Sequence, residues 1–342
     1  MIPLLLAAAL AGAPAQRIEA ETLRPGTVVR DGGASGGQAL ALSRNALRAR
    51  VSGLRIRILV RAPRCDGVLR FNGRRARVAA ARWRSVVVSN HRGEVTLRRG
   101  RCPLRVDRLD VLWAPPPTAT WQWQLSGPLD LSVPAAVYDL DLFVTPASTI
   151  SDLHARGARA VCYFSAGTRE RERPDPFPMS AAGKTLEDWP DERWLDVRAL
   201  RTLGPVLKRR LDLCARKGFD GVEADIVDAY ANDSGFPLRA AHQLRFNRFL
   251  ARAAHARGLA IALKNDVDQA DELADDFDWA LVEECFEYDE CERLRPFTAA
   301  GKAVWAVEYT LAPGAFCPAA RAAGFMAMVK PLELDAAREP CW

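Results

Sequence analysis

Residues 218–230 read GFDGVEADIVDAY, an apolar run of Val222, Ala224, Ile226 and Val227 broken by Glu223, Asp225 and Asp228. Upstream, Leu207, Leu211, Cys214 and Ala215 recur at helical spacing and stop at Gly218, a normal C-terminal signal for a helix. A helix therefore feeds a strand. Side chains alternate along a strand, so Glu223 and Asp225 share one face, with Asp225 nearer the C-terminal end. Barrel enzymes place their chemistry at the C-terminal ends of their strands. The bland alternative is an ion pair or a helix N-cap just past a strand.

Working outward, eight strand-like segments are expected at 120–125, 136–143, 159–167, 219–226, 259–265, 279–285, 302–309 and 324–331. Helix-like stretches at 148–156, 203–217, 240–257, 269–275 and 289–300 separate most of them. Repeated helix–Gly–strand units argue for a parallel sheet, and eight strands in this length fit an α/β fold of (β/α)8 TIM-like barrel type. The first connection, 126–135, is too short for a helical crossover. Several strands end in polar groups: Asp141, Tyr163 with Ser165, Asp225, Lys264 with Asn265, Glu283 with Glu284, Glu308 with Tyr309, and Lys330. Unpartnered buried charge is costly, so such a series points to a site, with a structural ion-pair ring as the competing reading.

The 342 residues allow a barrel plus an accessory module. The segment 17–114 has short alternating strands and almost no helical signal, as in a small all-β sandwich. Asn72-Gly73 and Arg92-Gly93 read as hairpin turns. Residues 115–119, Pro-Pro-Pro-Thr-Ala, form a stiff linker, and 120–342 is the barrel. The segment from Arg17 to Ala114 carries 22 arginines, no lysine and seven acids, a net of +15, whereas the rest carries 26 basic and 35 acidic residues, a net of −9. The basic segment suits an anionic polymer or surface and the acidic one a cationic substrate; an arginine-rich coding bias is the plain alternative for the first.

Residues 2–12 are apolar and followed by Ala13-Pro14-Ala15, the pattern of a secretory signal at 1–15 that is too short to span a bilayer. Export, to the periplasm or the exterior, is expected. Eight cysteines fit an oxidising compartment. No CxxC pair is present, so zinc is not expected. Cys65 with Cys102 follows from separate domains, Cys285 and Cys291 flank a single turn and could bridge, and the pairing of the other four cysteines stays open.

The strings WQWQLSG, VYDLDLF, VCYFSAG, KGFDGVEADIVDAY, GLAIALKND, EECFEYDEC and GKAVWAVEY run in order over 121–309. Together they resemble glycoside hydrolase family 114, the endo-α-1,4-polygalactosaminidase or spherulin-4-like group. The family's VEPDNVD segment has Ala224 and Ile226 here in place of Pro and Asn. The resemblance implies a catalytic pair at Asp225 and Glu283, with Glu223 and Glu308 as rivals, and glycoside hydrolysis does need two carboxyl groups. Asp141, Glu223, Asp228 and Glu308 are candidates for pairing with substrate amines. Tyr163, Tyr309, Trp121 and Trp123 are candidates for stacking on sugars, Lys264 for balancing the acids and Asn265 for a hydroxyl contact. No catalytic cofactor is implied, and a monomer is expected. A non-catalytic polysaccharide-binding protein on the same fold is the alternative.

The first segment, with RIEAET at 17–22, DGGASGG at 31–37 and RLDVLW at 108–113, resembles carbohydrate-binding modules of families 6 and 35. That resemblance implies a structural calcium on Glu19, Glu21 and Asp110, with Trp83 the candidate sugar platform. A nucleic-acid module is disfavoured by the export signal and the lack of a recognition motif.

Overall fold

A computed structural model describes residues 16–342 apart from 20–22, 24–26, 31–33, 35–37, 43–46, 51–54, 72–73 and 90–93. The expected signal, Glu21, most of the 31–37 segment and both expected hairpin turns lie outside the described residues. The chain divides into two compact units that part between Ala114 and Pro115.

The second unit is built on eight parallel strands in sequence order: β1 (Trp121–Gln124), β2 (Val137–Asp141), β3 (Arg159–Ser165), β4 (Gly221–Asp225), β5 (Ala260–Lys264), β6 (Trp279–Glu283), β7 (Val304–Glu308) and β8 (Met326–Val329). The strand Glu339–Pro340 adds antiparallel to β8. The sheet curls. The Trp121 indole N–H donates across to the Met326 carbonyl (2.9 Å), and Trp121 stacks on Trp305 with ring centroids 4.6 Å apart. Six helices cover the outside: α1 (Ala147–Ala155), α2 (Leu200–Lys217), α3 (Ala240–His255), α4 (Ala270–Leu273), α5 (Arg295–Ala299) and α6 (Pro313–Ala323). As its length dictates, the β1–β2 connection has no helix.

Alternation sorts each strand's side chains. Leu140, Cys162, Val222, Ile261, Val282 and Ala306 face the helices in one large core. The opposite faces point inward, where Trp121, Trp279 and Trp305 are fully buried. Helix α2 shows the local logic. Leu203, Leu207, Leu211 and Cys214 form its buried stripe, and Gly218 ends it in the left-handed conformation (φ 95°), donating to the Cys214 and Ala215 carbonyls. β4 then starts at once.

Two aspartates lock the strand starts. Asp220, just before β4, accepts from the Ala160 N–H (3.0 Å), Arg159 (2.7 Å) and His154 (2.8 Å). Asp278, just before β6, accepts from the Ile261 N–H (2.9 Å) and His255 (2.8 Å). Disulfides join Cys162 to Cys214, Cys285 to Cys291 and Cys317 to Cys341, and Cys65 to Cys102 in the first unit. Between β3 and α2 the chain forms a three-stranded antiparallel sheet, Thr168–Glu170, Ala182–Thr185 and Glu192–Leu195, which the sequence reading did not anticipate.

The first unit has two antiparallel sheets, one of six strands and one of four. Ile56, Ile58 and Val60 of the first and Leu69, Phe71, Val95 and Leu97 of the second share one core. This is a β-sandwich arrangement. The Asp110 carboxylate is held by Arg57 (2.7 Å) and Arg108 (3.2 Å). Two guanidiniums on the would-be ligand do not fit a calcium site, and among the described residues no acidic cluster does. Trp83 is half-buried.

The barrel interior depends on its indole stack, because a large ring at its centre leaves a void that neighbours cannot fill. Trp305→Ala should lower the unfolding free energy by about 3–5 kcal/mol in denaturant titrations; a loss below about 1 kcal/mol would show that the interior collapses around the gap.

Candidate active site

The C-terminal ends of the barrel strands open into a cleft of about 450 Å³. It is lined by eight of the twelve barrel residues singled out as site candidates: Trp123, Asp141, Tyr163, Asp225, Lys264, Asn265, Glu283 and Tyr309. The arrangement turns on Lys264, the last residue of β5. Its Nζ lies 2.9 Å from Asp225 Oδ1 on β4, 3.0 Å from Glu283 Oε2 on β6 and 3.1 Å from Glu223 Oε1 deeper in β4. The ammonium also sits 4.8 Å from the centre of the Trp123 ring. Burial works against its charge, but Asp225, Glu283 and Glu223 outweigh burial and hold the ammonium well above the usual lysine range.

Each partner is fixed further. Asp225 Oδ2 accepts from the Tyr163 hydroxyl (3.0 Å), and Oδ1 accepts from the Ile226 N–H (2.8 Å) as well as from Lys264. Glu283 Oε1 accepts from the Tyr309 hydroxyl, and Oε2 from the Asn265 amide (3.2 Å). Glu223 is fully buried beneath them, beside Asp139 of β2. Burial, and then the neighbouring Glu223 charge, push Asp139 far above the ordinary carboxyl range. Burial likewise raises Glu223.

The backbone turns away immediately after three of these residues. Ile226 follows Asp225 at φ 57°, Asn265 follows Lys264 at φ 48°, and Glu284 follows Glu283 at φ 57°. A β-branched residue in this region is strained. The neighbouring Gly167 is also obligatory, since a Cβ there would meet the Ile226 carbonyl oxygen at 1.7 Å.

Not every candidate lines the cleft. Asp228 lines an adjoining recess of about 250 Å³ with Tyr230, Asp266, Asn265 and Glu283. Asp141 is tied to Arg173 (2.7 Å). Glu308 is not in the cleft. It sits in phase with Val304 and Ala306 on the helix-facing side of β7, and it accepts from the Phe286 N–H at 2.9 Å. One residue of strand phase separates it from Tyr309, which does enter. Trp121 and Trp123 are buried wall, not stacking platforms. Lys330 is capped by the Ala337 carbonyl (2.7 Å).

The structure adds Asp139, buried beside Glu223, and Glu170, Arg173, Trp189 and Glu192 at the rim. Asp139 was visible as the second acid of VYDLDLF, in the same strand phase as Asp141. The rim residues come from the inserted sheet (Glu170, Glu192) and its connecting loops (Arg173, Trp189), and its strands are short and carry no periodic signal.

The model of glycoside-hydrolase family GH114 matches residues 106–342. The chain belongs to this family. Among solved structures, Ega3 of Aspergillus fumigatus, determined in complex with galactosamine, is 38% identical. The match covers 67% of this chain and 97% of Ega3, with a TM-score of 0.64. The glycoside hydrolase domain of PelA from Pseudomonas aeruginosa shares the fold at 16% identity, covering 64% of this chain and 97% of that domain, with a TM-score of 0.53. No curated protein matches the chain. This GH114 protein is therefore a glycoside hydrolase, and its four disulfides fit an extracellular setting. No helix among its described residues is long and apolar enough to cross a membrane.

Two predictions follow from this geometry. Asn adopts the left-handed region more readily than Ile, so Ile226→Asn should raise the unfolding free energy by about 1 kcal/mol; a loss of stability would mean that the Ile side chain contributes more than its backbone costs. Burial also raises Asp228 to about 6, Glu192 to about 7 and Asp266 to about 8, besides Asp139 and Glu223. The folded chain then binds more protons than the unfolded one above the ordinary carboxyl range, and that stability is lost as pH climbs through the folded values. The melting temperature should fall steadily from pH 5 to pH 8; a flat or rising profile would refute the sign.

Proposed function

We propose that the chain is a secreted, endo-acting hydrolase of α-1,4-linked galactosamine-containing polysaccharide, with Asp225 and Glu283 as the reacting pair. The observation that carries this reading is the convergence of both carboxylates, from neighbouring regions of the barrel mouth, on one ammonium in an open cleft. Binding alone has no need of that arrangement, whereas glycoside cleavage does. The galactosamine bound by Ega3 supports the substrate class.

The roles divide by environment. Asp225 and Glu283 each meet three donors, but Asp225 is the less exposed carboxylate, its side chain 13% accessible against 24% for Glu283. A carboxylate so held is aimed, as a nucleophile must be. Glu283 is the more open to solvent of the two and takes the acid/base role. Because Asp225 Oδ1 and Glu283 Oε2 share Lys264 at 2.9 and 3.0 Å, they stand at most about 6 Å apart. This favours the roughly 5–5.5 Å spacing of retaining enzymes over the roughly 6.5–9.5 Å of inverting ones.

Protonated Glu283 gives its proton to the glycosidic oxygen while an Asp225 oxygen attacks the anomeric carbon, and the bond to the leaving sugar breaks. Glu283 then takes a proton from water, which displaces Asp225 and restores the anomeric configuration. Lys264 holds Asp225 in place between turnovers, and Tyr163 and Tyr309 fix the two carboxyl planes.

The test is digestion of defined galactosamine oligomers, free and N-acetylated, followed by NMR of the first anomer released. Asp225→Asn and Glu283→Gln should each lower kcat by at least about 10³-fold, and the wild type should release the retained anomer. Full activity in either variant removes that residue from the pair. An inverted product removes the nucleophile role of Asp225. Oligomer binding without cleavage by the wild type would make the protein a polysaccharide binder.

A further inference from the structure

The four-stranded sheet of the first unit has two unlike faces. Leu69, Phe71, Val78, Val95 and Leu97 turn into the core. Arg70, Arg75, Arg77 and Arg98 are exposed on the other side. The strand register sets Arg70 directly opposite Arg98 on one neighbour and directly opposite Arg75 on the other. Three arginines therefore stand in one row across three adjacent strands, and Arg77 follows two residues beyond Arg75, opposite Val68. Neighbouring strands lie about 4.8 Å apart, and alternate residues along a strand about 7 Å apart. The result is a small lattice of positive charge.

That lattice costs stability, because like charges directly opposite one another in a sheet repel. Among the described residues no carboxylate pairs with any of these four arginines. The whole unit shows the same bias, with 22 arginines against seven acids between Arg17 and Ala114. Such a surface repels the cationic polymer expected in the cleft of the other unit. Its own ligand must be anionic.

We propose that this arginine face binds a linear acidic polysaccharide, with carboxylates of successive sugars meeting the row Arg98–Arg70–Arg75. Guanidinium forks suit carboxylates, which they bind through two parallel hydrogen bonds. A flat sheet face does not enter a duplex groove. The exposed positions on these strands carry no aromatic ring on which bases would stack. Both points favour a polyuronate over a nucleic acid. On this basis the two units serve different polymers, the cleft a polycation and the module a polyanion lying with it.

The test uses the full chain and polygalacturonate, with duplex DNA as the competing probe, across a salt series. Arg70→Thr, Arg75→Thr and Arg98→Thr together should weaken polygalacturonate binding by at least about tenfold. A control with the same change of charge, Arg64→Thr, Arg82→Thr and Arg101→Thr, removes exposed arginines outside the row and should stay within about twofold of wild type. The row variant should also melt no lower than wild type, since cross-strand repulsion is relieved, and both variants should keep wild-type hydrolysis of galactosamine oligomers. Hydrolysis is scored apart from binding, so failure of the enzymatic reading leaves this test intact. Equal losses in the two variants would reduce the face to general basicity. Tighter binding of DNA than of polygalacturonate through the same row would make nucleic acid the partner. No binding of either polymer at low salt would end the proposal.

Discussion

The structure depends on one buried ammonium that satisfies three carboxylates. Lys264 Nζ lies within 3.1 Å of Glu223, Asp225 and Glu283. A buried charge without partners is expensive for every group in such a cluster, so the three strands that carry it must keep their register. A slip of one residue on β5 would turn Lys264 into the helix layer and leave Glu223 and Asp225 uncompensated. The aspartates at the opposite ends of these strands address that risk. Asp220 ties the start of β4 to β3, and Asp278 ties the start of β6 to β5, each through a backbone N–H of the neighbouring strand. The latches at one end of the barrel thus hold the geometry used at the other.

The left-handed residues belong to the same constraint. A strand that delivers a carboxylate to the cleft must leave the barrel without covering it. Ile226, Asn265 and Glu284 make that exit directly after Asp225, Lys264 and Glu283. Asn265 suits the conformation and also serves the site. Its amide donates to Glu283 Oε2, and its carbonyl oxygen accepts from the Glu283 N–H at 3.0 Å. Ile226 suits it poorly, at the position where the family usually carries Asn. Backbone strain of this kind persists where the surroundings over-determine it, and here Gly167 packs so closely against Ile226 that the loop has little room to relax.

What the sequence reveals follows from period and position. The eight barrel strands could be read because apolar alternation and glycine stops recur along 120–342, and Asp225, Lys264 and Glu283 because they end three of them. Glu308 was misplaced by one residue, since the phase of β7 is set by tertiary packing of Val304 and Ala306 against the helices. α6 begins Pro-Gly and holds Pro318, so propensity argues against a helix that packing nonetheless forms. The inserted sheet at 168–195 is too short and polar to show a period, and the rim residues Glu170, Arg173, Trp189 and Glu192 went unseen with it. For Asp110, the ligand type was visible, but its two arginine partners come from positions 57 and 108 and only the fold brings them in.

The charge balance of the cleft connects its physics to the proposed substrate. Seven acids line it, Asp141, Glu170, Glu192, Asp225, Glu283, Glu284 and Glu333, against two cations, Arg173 and Lys264. The cations are already engaged: Arg173 with Asp141 and Glu170, Lys264 with Glu223, Asp225 and Glu283. The excess is relieved by protonation, which is why burial lifts Glu192 to about 7 and also raises Glu170 and Glu284. A neutral sugar would leave that balance untouched. A polymer bearing ammonium groups would supply the missing counter-charge and lower those values again, releasing protons as it binds. On the proposed reading the acids do two jobs at different depths. Those gripped by Lys264 carry out bond cleavage, and those left uncompensated toward the rim make the cleft selective for a cationic chain.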